Sequence, residues 1–144
     1  MHTATFFDDH NLLFVSCSEH IHFASLTARI AEWIITIDAP DDRLVLVDLR
    51  RLRTIDRPTD GTDEYVKLQR KLSQDYRPAR KLALLATRPE TFVLARMFEQ
   101  SAQDQLPTEI DVFRSGSDAL AFLGICADDV DDFIKSLGLG QKLG

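Results

Sequence analysis

Residues 80–100, RKLALLATRPETFVLARMFEQ, constrain the fold most. Residues 82–86 form a short apolar run, bounded by basic residues on one side and Thr-Arg-Pro on the other. Such a run suits a strand buried on both faces. Thr87 stands three residues before Glu90, the spacing of a capping box, and Pro89 falls in a first helical turn, where a missing N–H costs little. Val93, Leu94, Met97 and Phe98 then form one apolar stripe at helical spacing. A buried strand feeding an amphipathic helix is half of a βαβ unit, so a parallel neighbour is expected.

The flanking sequence supplies it. Residues 3–7 and 12–17 read as two strands joined by Asp8-Asp9-His10-Asn11, a polar loop of hairpin length. Phe23, Leu26, Ile30, Trp33 and Ile34 predict a helix over 21–35, and 39–42 a turn. Residues 44–47 are an apolar strand. The stretch 48–61, DLRRLRTIDRPTDG, reads as a loop because of its charge, Pro58 and Gly61. Tyr65, Leu68, Leu72 and Tyr76 predict a helix over 62–76.

After the opening stretch comes a strand at 110–113, then a short helix at 118–123 ended by Gly124. A last helix follows at about 129–137, with Val130, Phe133, Ile134 and Leu137 on one face. Asp128, Asp129, Asp131 and Asp132 stand at its N-terminus, where the helix dipole favours acids. The predicted fold is a single-domain α/β mixed sheet of about five strands, an N-terminal hairpin followed by βαβαβα, with helices packed on it. The domain spans 1–138, and 139–144 is a loose tail.

The 144 residues suit one domain, and no apolar run reaches the roughly 18 residues of a membrane span. The first residues lack the basic-then-apolar layout of a signal peptide, and two cysteines make no disulfide framework. The expected compartment is the cytoplasm. The net charge of −6 argues against general nucleic-acid binding. The charge is uneven, however: residues 50–81 carry ten bases and five acids, a local +5 that leaves −11 elsewhere. Charge asymmetry of this kind is a partner signal.

Ligands of open α/β sheets bind beyond the carboxyl ends of the strands. Arg50, Arg51, Arg53 and Arg57 follow one predicted parallel strand, and Thr87 and Arg88 follow another. Of these, Arg50, Arg53, Arg57, Thr87 and Arg88 are the candidate ligand-binding residues. Guanidinium groups there hold phosphate or carboxylate in a bidentate manner, or pair with nearby acids on a solvated loop. Thr87 is better explained as a helix cap, and Arg96 as an ion-pair partner. Cys17, His20 and His22 have C-x-x-H-x-H spacing but no evident fourth ligand, so no metal is assigned. The chain has no G-x-S-x-G, P-loop or H-E-x-x-H signature and implies no cofactor. Clustered aspartates leave a hydrolase as the last-ranked reading.

Several residues together resemble the SpoIIAA-like (STAS-type) family of small bacterial proteins. They are Ala95-Arg96-Met97-Phe98, Val112-Phe113-Arg114, Ala119-Leu120-Ala121-Phe122-Leu123 and the strand around VLVDL, in the family's order and spacing across about 3–123. The resemblance implies a CRAL-TRIO-like sheet with helices and a non-enzymatic binding or regulatory role. Membrane association at the inner face, apolar ligands, a protein partner and homodimers all fall within it, and together with the +5 segment it implies an anionic lipid surface or a small amphipathic ligand as partner. STAS proteins that antagonise anti-sigma factors carry a phosphorylatable serine after the central strand; Arg57 stands in that place here.

Overall fold

In a computed structural model, residues 2–21, 29, 32–33, 43–55, 80–103 and 108–143 are described. The strands are β1 (His2–Phe7), β2 (Leu12–Ile21), β3 (Leu44–Ile55), β4 (Lys81–Leu85), β5 (Glu109–Phe113) and β6 (Gln141–Leu143). The helices are α1 (Pro89–Gln103), α2 (Gly116–Phe122) and α3 (Val130–Ser136). The strands form one sheet in the order β5-β4-β3-β2-β1-β6. β2 to β5 are mutually parallel, whereas β1 is antiparallel to both β2 and β6.

This is the mixed α/β sheet expected from the hairpin and the strand–helix alternation, with a sixth strand added. Asn11 closes the hairpin in the left-handed region at φ 50°, a conformation asparagine tolerates. Both sheet faces are buried, which is why β3 and β4 read as unbroken apolar runs. One face carries Leu13, Val15, Val45, Val47, Leu82, Leu84 and Ile110, packed with Trp33 and with Phe92 and Ala95 of α1. The other carries Leu12, Leu46, Ala83 and Leu85, covered by Leu120 and Leu123 of α2 and its following turn and by Val130 of α3. Gly124, at φ +80°, ends α2 with Ile125 N–H donating to Leu120 O at 2.8 Å. That left-handed residue satisfies the helix's last carbonyls, as a glycine there is expected to do.

Four local expectations are corrected. β2 runs on to Ile21, so the predicted helix does not begin there; of its remainder only Arg29, Glu32 and Trp33 are described, and Glu32 and Trp33 are helical like Arg29. β3 continues to Ile55, so Arg50, Arg51 and Arg53 lie on a strand, not a loop. The residues after Gly140 form β6 on β1 in place of a loose tail. On α1, Ala95 and Thr91 face the core while Val93 (57% exposed) and Met97 (43%) face outward, so the inward stripe is rotated from the predicted one. The predicted helix at 62–76 lies outside the described residues.

Candidate functional site

β4 ends at Leu85 and β5 at Phe113, both level with Asp48 of β3. β2 and β3 go on together as a two-stranded parallel ribbon, pairing Ser18 with Arg51, Glu19 with Leu52 and His20 with Thr54. Its register shifts twice, between Ser16 and Ser18 and between Glu19 and His20, each time with an extra residue on β3. A bulge changes which way the following side chains point. Leu49 (4% exposed) and Leu52 (0%) therefore share one core cluster although they are three apart, where strict alternation would separate them.

Asp48 is 2% exposed at the end of the apolar part of β3. A buried carboxylate needs a cation and hydrogen bonds. Arg50, two residues on, supplies both: Nε donates to Asp48 Oδ1 at 2.9 Å and Nη2 to Oδ2 at 2.8 Å, while its backbone N–H donates to Oδ1 at 3.0 Å. Nη2 also donates to Asp131 Oδ1 at 2.9 Å, in the first turn of α3. The hydrogen bond to Asp48 is the main cause that holds the Arg50 guanidinium above its usual range. The bond from Arg50, with the charges of Arg51 and Lys135 assisting, holds the Asp131 carboxyl below the usual carboxylate range. Arg50, a predicted ligand contact, is thus engaged by two carboxylates of its own chain.

Arg88 lies in the turn between β4 and α1. Its Nη1 donates to Leu52 O at 3.0 Å, on the part of β3 that β4 does not reach. This one bond joins the two strand ends that the sequence singled out. Arg51 and Arg53, both exposed, flank Leu52 in the chain, and the Arg51 charge acts on Asp131. Thr87 is exposed in the same turn. Among the described residues no hydrogen bond links it to Glu90; α1 opens instead with Phe92 N–H donating to Arg88 O at 2.9 Å. Arg57 lies outside the described residues.

The neighbouring strand end is occupied differently. The Arg114 guanidinium lies 4.3 Å from the centre of the Phe92 ring, and Ser115 caps α2 through Asp118 N–H at 3.5 Å. Cys17 is buried in the sheet, and His20 Nδ1 meets Thr54 Oγ1 at 2.6 Å. Among the described residues no three His, Cys, Asp or Glu side chains converge as a metal site. Among them too, no helix is long and apolar enough to cross a membrane.

No family model matches the chain, and no curated protein matches it. Among solved structures it is similar to an uncharacterised protein of the DUF3478 family with a SpoIIAA-like fold, from Shewanella loihica. The TM-score is 0.47 and the identity 17%, over 78% of this chain and 83% of that one.

The chemistry of the rim follows from its groups. Guanidinium forks match the paired oxygens of phosphates and carboxylates, and they stay charged at any physiological pH. Their pull on a distant anion fades within about 10 Å at 0.1 M salt. Sequence reasoning missed one participant, Asp48. Asp48 left one signal: an acid and a base two apart on a strand share a face. Arg51 was legible as one of the arginines that follow the apolar strand, but its place on a strand was not, because that depends on the bulge.

Proposed function

We propose that this chain is a non-enzymatic binding module whose carboxyl-end rim associates reversibly with an anionic membrane surface or with the anionic head of an amphipathic ligand. The observation that carries this reading is the Arg88 bond to Leu52 O, which ties the β4–α1 turn to the stretch of β3 whose next residues on either side, Arg51 and Arg53, are exposed. Each basic residue near an anionic leaflet contributes about 1 kcal/mol. Three give about 3 kcal/mol, enough for reversible association and far short of an anchor. Co-sedimentation with phosphatidylserine-containing vesicles tests it. Binding should exceed that to phosphatidylcholine alone, fall with salt, and drop in Arg53→Glu; equal binding to both vesicles overturns it.

A protein–protein regulatory module of STAS type, lacking the phosphorylatable serine, is the second reading. What favours it is the β2–β3 ribbon, which extends past its neighbours with Glu19, His20, Arg51, Arg53 and Thr54 exposed. One stoichiometric partner, recovered with the native chain and lost with Arg53→Glu, would support it. A complex that survives the substitution removes the ribbon from it.

A further inference from the structure

We infer that β6 is a removable guard on the edge of β1, and that without it the chain pairs with a second copy of itself through β1. The two ends of the sheet are protected in different ways. At the β5 end, Asp111 Oδ1 accepts the Val112 N–H at 2.8 Å and lies 3.4 Å from Arg96 Nη1, so the edge strand's own side chain occupies a ladder donor. At the other end nothing of this kind is built into β1. Its sequence from Thr3 is Thr-Ala-Thr-Phe-Phe, uncharged, without Pro or Gly and strong in strand propensity. Such a segment is a template for another strand wherever its edge is open.

The edge is covered by three residues. Gln141 pairs with Phe6, Lys142 with Thr5 and Leu143 with Ala4. Gln141 and Lys142 are exposed, so the outer face of the pair is polar and short and carries a lysine, the features that blunt a sheet edge. The approach is tight at one point. A Cβ on Gly140 would lie 2.6 Å from Thr5 Cγ2 and 2.9 Å from Phe6 O. Glycine is therefore what lets the strand reach β1.

The guard is weakly held. Only Leu143 of its side chains packs against the core, and Leu139, just before it, is 102% exposed. A segment with few buried contacts opens locally before the domain unfolds. Antiparallel pairing of β1 with β1 of a second copy is two-fold symmetric and closes on itself, so it produces a dimer with a continuous sheet.

The test compares the full chain, a chain ending at residue 139, and Gly140→Val, by light scattering over a concentration series. Both altered chains should shift to a species of twice the mass of the full chain's, with far-ultraviolet circular dichroism retained. Thr5→Lys in the shortened chain restores a charge to the edge and should return it to the full chain's state. Shortened and Gly140→Val chains that keep the full chain's mass, or a Thr5→Lys change without effect, overturn the inference. Hydrogen exchange on the unaltered protein decides it even if the variants fail to fold. The amides of 141–143 should exchange at least about tenfold faster than those of 45–47; equal rates would mean that β6 leaves only with global unfolding, and would overturn it.

Discussion

Arg50 Nη2 and Asp131 Oδ1 lie 2.9 Å apart across 81 residues of sequence. The bond ties the first turn of α3 to the end of the apolar part of β3, and the same nitrogen holds buried Asp48. The two carboxylates are not equivalent. Asp48 is almost wholly buried, whereas the Asp131 side chain is 48% exposed. Arg50→Ala would leave the Asp48 charge buried without its cation. That variant should lose about 3 kcal/mol in urea unfolding, in the range for breaking a buried pair. Asp131→Asn should lose less than about 1 kcal/mol, because water replaces much of what it gives up. Equal losses would show that the pair acts as a surface bridge.

The same contact sets an acid limb of stability. Asp131 titrates below an ordinary carboxylate because Arg50 favours its charged form. Between the depressed value and the ordinary one near 3.9, the unfolded chain binds the proton and the folded one does not. The contribution of Asp131 is therefore complete above about pH 4 to 5 and disappears as pH falls through the depressed value. Asp131→Asn should reduce the slope of the unfolding midpoint against pH in that window and leave the slope at pH 7 unchanged.

The apolar pattern made the centre of the fold legible. β1 to β5, the hairpin and the three described helices each follow from a period or a punctuating residue, and the mixed sheet follows from their order. The β2–β3 ribbon was hidden because its residues carry charge and its neighbours stop early. Arg50 to Thr54 has the composition of a loop, and only the partner strand and the bulges make it a strand. β6 was hidden for a related reason: Gly140 reads as a breaker until it meets Thr5 and Phe6 O. Of the site, the approach of the β3 and β4 ends was legible from topology. The engagement of Arg50 by Asp131 was not, since no local pattern links residues so far apart.

Burial pushes the Cys17 thiol up to about 12, with the Asp48 charge adding to the effect, whereas Cys126 is exposed. A native sample at pH 8 should react with one equivalent of a thiol reagent, and with two after unfolding. Cys126→Ser should abolish the native reaction. The raised value has a sign for stability as well. Unfolding releases the Cys17 proton between the unfolded value near 8.5 and about 12, so stability should fall as pH rises through that interval. Cys17→Ala should flatten that limb, at the cost of a small cavity.

The rotated face of α1 is open to a direct comparison. Val93→Ala removes an exposed side chain and should change stability by less than about 0.5 kcal/mol. Ala95→Leu forces three heavy atoms into a site that is 5% exposed and should cost about 1 to 3 kcal/mol. If the stripe of Val93 and Met97 faced the core, the order of the two would reverse.

Arg53 and Arg88 separate binding from folding. Arg53 is exposed and lies on the ribbon, so Arg53→Ala should leave the unfolding midpoint within about 0.5 kcal/mol. If the rim meets an anionic surface, the same change should weaken vesicle binding by about fivefold, the loss of about 1 kcal/mol. Arg88 also closes the carbonyl of Leu52 where β4 provides no partner. Arg88→Ala should therefore cost about 1 kcal/mol of stability as well as binding. Arg88→Lys keeps the charge but loses the planar fork, so it should retain vesicle binding better than it retains the contact to Leu52. Vesicle binding that tracks stability across all three variants, instead of tracking charge, would locate the binding surface elsewhere.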